Sequence, residues 1–400
     1  MTSVGGRDAA PGVLVAGGDY RALGVVRSLG RRGIRVWVLH ERGDAIAAVS
    51  RYAERRLVWP RGEPGAAARF LLDLAERHQL AGWLLVPTAD ETAASVAHRH
   101  AELRAAYVVS TPPWEVLRWA YDKRLTYQLA ESLGIPHPRT QVVGSQDTVR
   151  TMDVSFPVVL KPAVKPTTRL QQAKAWRADD RGALLALCAR AEGLAEPGTL
   201  LVQDLVPGGG EAQFSFAALC LEGEALAGVV ARRTRQYPAD FGRSSTMVET
   251  VDQPDVEKLA RRILSALRIT GLVEVEFKRD ARDGRCNLLD INARVWGWHS
   301  IGARAGVDFP YLLWRLFRTG TVPTVAPRVG VRWVRASTDL PAVVAELRAR
   351  RLAPGDYLRS VLAPKERAIF ARDDPLPALL ELPLHLGKAV IRRTAGSAGT

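Results

Sequence analysis

Over the first 110 residues, short apolar runs alternate with helix-periodic segments, and that alternation is what most constrains the fold. Val13-Leu14-Val15-Ala16 runs into Gly17-Gly18-Asp19. A helix-periodic segment then continues to Arg32, Gly33 stops it, and a second apolar run covers 34–39. Parallel strands need a crossover between them, so strand, tight turn, helix, strand predicts a parallel α/β layer. The pattern repeats with a helix over 69–78, a strand over 82–86, a crossover over 91–103 and a strand over 107–110. Thr111-Pro112-Pro113 marks a boundary. The Gly turn falls short of G-x-G-x-x-G and does not by itself point to a dinucleotide. Asp90 and Glu91 follow a strand end, where open sheets take ligands and where acids also suit a helix N-terminus. His98, His100 and Glu91 fall on different helix faces, which excludes them as a metal set.

Beyond the boundary the pattern changes. A helix is predicted over 114–133, ended by Gly134 and Ile135-Pro136-His137-Pro138. Phe156-Pro157-Val158-Val159-Leu160 reads as a strand closed by Lys161-Pro162, with a polar loop and a helix over 181–191 after it. A strand over 200–202 meets Gln203-Asp204-Leu205-Val206-Pro207 and a Gly triplet. A hairpin of 212–221 and 224–231 turns at Glu222-Gly223. Over 256–268, Val256, Leu259, Ile263, Leu264 and Leu267 form one helical stripe. After about 330 the chain is Arg-rich, breaks often and shows no chemistry of its own.

Residues 271–294 carry most of the functional weight. Val273, Val275 and Phe277 share one strand face, while Glu274 and Glu276 share the other. After a turn at 280–284, Asp290, Asn292 and Arg294 share a face opposite Leu289 and Ile291. A hairpin centred near Asp283 sets Glu276 across from Asp290 and Glu274 across from Asn292. Directly opposed like charges are destabilising unless compensated, and a divalent cation removes that cost. Glu, Asp and Asn oxygens suit Mg²⁺, usually held by one or two carboxylates plus substrate phosphates. An ordinary hairpin with a solvated polar face is the alternative. Arg294 extends the face, and Trp296-Gly297-Trp298, read as exposed and mobile, follows it.

The 400 residues, 47% hydrophobic and 24% charged, have the composition of a soluble globular chain. No run approaches the roughly 18 apolar residues of a membrane span, and no signal-peptide core opens the sequence. Cys188, Cys220 and Cys286 stand apart, so a disulfide framework is not expected and a cytoplasmic setting is. The net charge of +14 comes from dispersed residues, only eight of them Lys, without a basic run. Nucleic acid is therefore not expected as a partner; an anionic small substrate explains the excess equally well.

Taken in order, these segments resemble the ATP-grasp superfamily, in particular its carboxylate–amine ligase branch. Biotin carboxylase, carbamoyl-phosphate synthase and D-alanine–D-alanine ligase are more distant relatives. The resemblance spans about residues 110–320. It is carried by Tyr121-Asp122-Lys123, Gly134 to Thr140, Phe156 to Pro162, Val202 to Gly208, Val275-Glu276-Phe277 and Leu289 to Arg294. It implies a mixed α/β and α+β fold: a disordered lead (1–11), a Rossmann-like domain (12–111), a two-subdomain ATP-grasp domain (112–330) and a basic C-terminal extension (331–400). Within the grasp domain, 155–205 is the expected lid and 206–330 the expected metal and phosphate subdomain.

The resemblance also implies roles. Lys123 and Lys161 contact the nucleotide, which suits Lys as a compact point charge for phosphate. Gln203, Asp204, Leu205 and Val206 form the adenine hinge, and Glu211 reaches the ribose. Glu276, Asp290 and Asn292 hold two Mg²⁺ ions, with Mn²⁺ as an alternative. Arg294 stabilises the transferring phosphoryl group, with Arg232 and Arg243 as further phosphate contacts. One departure stands out: the span over 163–173, which covers the triphosphate in many relatives, contains no Gly, leaving Lys165, Thr167, Thr168 and Arg169 as donors. The implied activity is ATP-dependent, ADP-forming ligation of a small carboxylate to an amine through an acyl phosphate. A carboxylase or phosphotransfer enzyme, or a catalytically silent nucleotide-binding module, are the alternatives. A homodimer is open, and membrane contact is expected only as a surface contact of the C-terminal tail.

Overall fold

The structure is a computed structural model and describes residues 10–41, 45–59, 64–164, 175–191, 198–237, 244–349, 352–362 and 366–384. The chain forms two compact units. One comprises Met1–Pro113, Pro310–Val322 and Ile369–Thr400, the other Trp114–Phe309 and Pro323–Ala368.

The first unit holds a five-stranded parallel sheet: β1 (Val13–Ala16), β2 (Val36–His40), β3 (Arg55–Val58), β4 (Trp83–Pro87) and β5 (Tyr107–Val109). Its order is β3-β2-β1-β4-β5. The inner strands β1 and β4 are buried at every residue, the pattern of strands covered on both faces. Between β1 and the helix Tyr20–Gly30, Gly17 lies at φ +148° with Thr88 Oγ1 only 1.9 Å from where a Cβ would stand. Asp19 caps that helix by accepting from the Arg21 and Ala22 amides. Strand β3 has no counterpart in the sequence reading, because Arg55-Arg56-Leu57-Val58 is an exposed edge whose charges mask the apolar alternation.

The same unit contains a C-terminal return. Arg27 is 4% exposed and donates Nε to Asp374 Oδ2 at 2.9 Å, Nη1 to Ile369 O at 2.6 Å and Nη2 to Asp374 O at 2.7 Å. Asp374 also accepts from Ser50 Oγ at 2.7 Å and Arg51 N at 3.0 Å. The expected separate extension over 331–400 is therefore divided between the two units. Residues 385–400, with the end of the 376–391 tail considered for a membrane surface, lie outside the described residues.

In the second unit, the single helix expected over 114–133 is two, Trp114–Tyr121 and Lys123–Ser132. Asp122 is extended between them and its carboxylate accepts from Arg124 N at 2.9 Å. A capping carboxylate ends one helix and starts the next, which leaves Lys123 as the first residue of the second.

A four-stranded antiparallel sheet follows: β6 (Thr140–Val143), β7 (Val158–Pro162), β8 (Trp176–Ala178) and β9 (Leu200–Asp204), in the order β6-β9-β7-β8. Its core includes Val158, Leu160, Leu184 and Val202. The sheet thus begins at Thr140, earlier than the lid boundary expected at 155.

A second sheet has seven strands: β10 (Gln213–Leu221), β11 (Glu224–Tyr237), β12 (Ser244–Thr250), β13 (Gly271–Arg279), β14 (Cys286–Asn292), β15 (Arg332–Val334) and β16 (Glu366–Arg367). The order is β14-β13-β10-β11-β12-β15-β16. Strands β15 and β16 are short, so the region that showed no chemistry in the sequence is an edge of this sheet. The helix Pro254–Leu267 buries Val256, Ala260, Ile263, Leu264 and Leu267 and packs on β10 and β11. Ala260, rather than Leu259, completes its buried stripe. At the β10–β11 turn, Gly223 lies at φ +89°, with Leu264 O 2.9 Å from its would-be Cβ. Among the described residues no helix is long and apolar enough to cross a membrane.

Candidate active site

The register between β13 and β14 places Glu276 opposite Asp290 and Glu274 opposite Asn292, as the spacing predicts. All four are nearly closed to solvent: Glu274 4%, Glu276 8%, Asp290 5% and Asn292 4% exposed. Buried carboxylates persist only when paired and hydrogen-bonded. Lys123 Nζ donates to both Asp290 oxygens at 3.0 Å. Arg233 Nη2 donates to Glu276 Oε2 at 3.1 Å. Asn292 Nδ2 donates to Glu274 Oε2 at 3.1 Å and Glu276 Oε1 at 2.8 Å, and Arg294 Nη2 donates to Asn292 Oδ1 at 3.1 Å. Burial first, and then the neighbouring Glu276, push the Glu274 carboxyl up to about 7.

Opposite this face, β7 presents Lys161. Its Nζ donates to Gln203 Oε1 at 2.6 Å and to Tyr127 Oη at 2.8 Å. Gln203 is fixed in turn by donating Nε2 to Thr140 Oγ1 at 2.6 Å. Tyr127 Oη donates to the Leu289 carbonyl at 2.9 Å, one residue before Asp290. Burial raises the Tyr127 phenol above its ordinary value.

These groups surround a cleft with about 740 Å³ of space, part of it open to solvent. It is lined by Lys123, Val159, Lys161, Ala175, the run Gln203-Asp204-Leu205-Val206, Gln213, Arg233, Glu276, Lys278, Leu289 and Asp290. Of the residues singled out from the sequence, Lys123, Lys161, Gln203, Asp204, Leu205, Val206, Glu276 and Asp290 thus meet in one place. Asn292 and Arg294 join through the hydrogen bonds above. Burial raises the Asp204 carboxyl and lowers the Lys278 ammonium, the latter partly offset by the charge of Glu211.

Other expectations are corrected. Arg232 is on the wrong side of the sheet. Ser215 pairs with both Glu276 and Ala231, so Arg233, two residues on, shares their face. Arg232 pairs with Phe214 and Glu249 instead, and reaches Glu249 Oε2 at 3.4 Å. Glu211 does not line the cleft; it folds back to accept from Gly209 N at 3.0 Å. Trp296-Gly297-Trp298 is not exposed: Trp296 is 0% and Trp298 3% accessible. The Trp296 ring meets Phe309 edge-on at 4.8 Å, and Trp298 Nε1 donates to Glu274 Oε1 at 2.8 Å. Arg243, and Lys165, Thr167, Thr168 and Arg169 of the Gly-free span, lie outside the described residues.

The donor set fits a hard divalent cation. Among the described residues no three His, Cys, Asp or Glu side chains gather as a ready metal cluster. Two opposed carboxylates and an amide oxygen match an ion that completes its shell from substrate phosphates. Lys123 and Arg233 already supply positive charge where such an ion would sit.

Residues 196–338 match a family model described as an ATP-grasp in the biosynthetic pathway with Ter operon. The chain has the ATP-grasp fold. Similar solved structures include an L-amino acid ligase from Bacillus licheniformis, 16% identical, with a TM-score of 0.61 over 77% of this chain and 74% of that one. The biotin carboxylase domain of 2-oxoglutarate carboxylase from Hydrogenobacter thermophilus, a dimer with MgADP and bicarbonate, is 14% identical with a TM-score of 0.64 over 80% and 73%. The ADP complex of an N5-carboxyaminoimidazole ribonucleotide synthetase is 13% identical with a TM-score of 0.63 over 80% of each chain. In sequence, the chain is 21% identical over 231 residues to a D-aspartate ligase from Enterococcus faecium, covering 53% of each. It thus spans about half the length of the curated relative it matches.

Proposed function

We propose that this chain is an ATP-dependent ligase that joins a small carboxylate to an amine with release of ADP and phosphate. One observation carries the reading: Lys123, Lys161, the hinge 203–206 and the carboxylates Glu276 and Asp290 line one cleft.

Val206, 5% exposed, and Leu205 pack against adenine, while the backbone of 203–206 supplies its donor and acceptor. Lys161 and Lys123 hold the phosphates as point charges. Glu276, Asp290 and Asn292 would hold Mg²⁺, which would supply positive charge against the phosphates of ATP. A substrate carboxylate oxygen attacks the γ-phosphorus, the bond from that phosphorus to the ADP oxygen breaks, and an acyl phosphate forms. The amine nitrogen then attacks the acyl carbon, the bond to the phosphate oxygen breaks, and the amine gives up a proton. Arg294 and Arg233 stabilise the charge on the transferring group and on the oxyanion. Catalysis here is positioning and electrostatics. The cytoplasm, where ATP is available, goes with this reading, and Arg243 keeps the role of a further phosphate contact.

The test is ADP release from Mg²⁺ and ATP against pairs drawn from a panel of amino acids. ADP formed only with a particular acid and amine establishes ligation and names both substrates. ADP formed with bicarbonate and no amine would replace ligation by carboxylation, and ATP binding without turnover on any pair would leave a silent nucleotide module.

A further inference from the structure

Asn292 lies between two carboxylates, and its amide has a fixed orientation. Nδ2 donates to Glu274 Oε2 at 3.1 Å and to Glu276 Oε1 at 2.8 Å. Both amide protons are committed to these two carboxyl groups, so Oδ1 turns the other way, where it accepts from Arg294 at 3.1 Å. Glu274 is itself held from behind, because Trp298 Nε1 donates to its other oxygen at 2.8 Å. Glu274 is 4% exposed and does not line the cleft. A second buried carboxylate at this place carries a desolvation cost and needs a reason.

We propose that Glu274 is a positioning residue: clamped by Trp298, it fixes the Asn292 amide so that an oxygen, and not an NH₂, is what a divalent cation meets. This rests on the reading of Glu276, Asp290 and Asn292 as the metal-holding face.

The order of donors and acceptors makes the claim specific. Trp298 and Arg294, at the two ends, are donors only. With Glu274 between Trp298 and Asn292, every donor in the chain meets an acceptor. In Glu274→Gln, one donor meets another in every arrangement: at Trp298, between the two amides, or, once Asn292 turns over, at Arg294. The substitution keeps size and shape but disrupts the order. Trp298→Phe removes the end donor, so the group facing that ring no longer has to be an acceptor. In the double variant the new amide can therefore turn its oxygen back to Asn292.

The measurement is Mn²⁺ binding to the full chain with ADP, titrated by electron paramagnetic resonance, beside thermal melting of each variant. Substitutions behind metal ligands typically weaken binding 10–100-fold, and E274Q is expected to weaken Mn²⁺ by about 10-fold or more while still melting cooperatively. Adding W298F to E274Q is expected to recover most of that loss. Wild-type Mn²⁺ affinity in E274Q overturns the proposal, and so does a double variant weaker than E274Q alone. A wild-type chain that binds no Mn²⁺ with ADP overturns the metal-face reading itself, and this inference with it.

Discussion

Lys161 shows how much of the site is set by single side chains. Its ammonium is shared between Gln203 at 2.6 Å and Tyr127 at 2.8 Å, and Tyr127 continues to the backbone of β14. Tyr127→Phe leaves the packing but removes an acceptor from Lys161 and a donor from Leu289. It is expected to cost about 1–2 kcal/mol of stability and to raise the KM for ATP more than it lowers kcat, read by urea unfolding and steady-state kinetics. The two neighbouring arginines of β11 give a sharper contrast. Arg233→Ala leaves the buried Glu276 without its cation and is expected to destabilise by about 3 kcal/mol. Arg232→Ala removes an arginine 40% exposed on the other face, and its pair with Glu249 is worth about 1 kcal/mol or less. Equal losses in the two unfolding curves would contradict the face assignment. The parity that separates them was present in the sequence, since Lys278 and Glu276 share the period-two face. The pairing of β10 with both β11 and β13, which transfers that parity to Arg233, was not.

At the scale of elements, the hairpin of β13 and β14 was legible because alternation and a central turn fix register together. The helix break at Asp122 was less so: Lys123 and Thr126 continue the helical period, and only the capping geometry shows where one helix ends. Trp296 and Trp298 were misread for a related reason. Aromatic residues beside a Gly look like a mobile surface loop until something covers them, and here Phe309 and the buried Glu274 do. Trp296→Ala is therefore expected to destabilise by about 3–5 kcal/mol, as for a core aromatic, and a shift under about 1 kcal/mol in denaturant unfolding would return the loop to the surface. Gly223→Ala meets a positive φ and Leu264 O at 2.9 Å together, so a clear drop in melting temperature is expected.

For the whole molecule, the chain's ends matter more than its local patterns suggest. The Arg27–Asp374 pair joins residues 347 apart in sequence and is almost completely closed to water, at 5% and 1%. No periodicity reports such a contact, so the sequence alone did not tie the C-terminal region to Arg27. Asp374→Ala leaves a buried guanidinium without its carboxylate and is expected to cost about 3–5 kcal/mol in thermal unfolding. By contrast, the motifs from Lys123 to Arg294 were readable only as an ordered set, each weak alone, through their resemblance to the ATP-grasp superfamily. What those motifs imply for chemistry is most directly tested with ¹⁸O. Candidate carboxylates labelled in both oxygens would be supplied with Mg²⁺, ATP and an amine, and the released phosphate weighed by mass spectrometry. The account predicts one ¹⁸O atom in the phosphate for each ADP formed, since the oxygen that attacks the γ-phosphorus leaves with it. ADP accompanied by unlabelled phosphate, or AMP and pyrophosphate in its place, would contradict it.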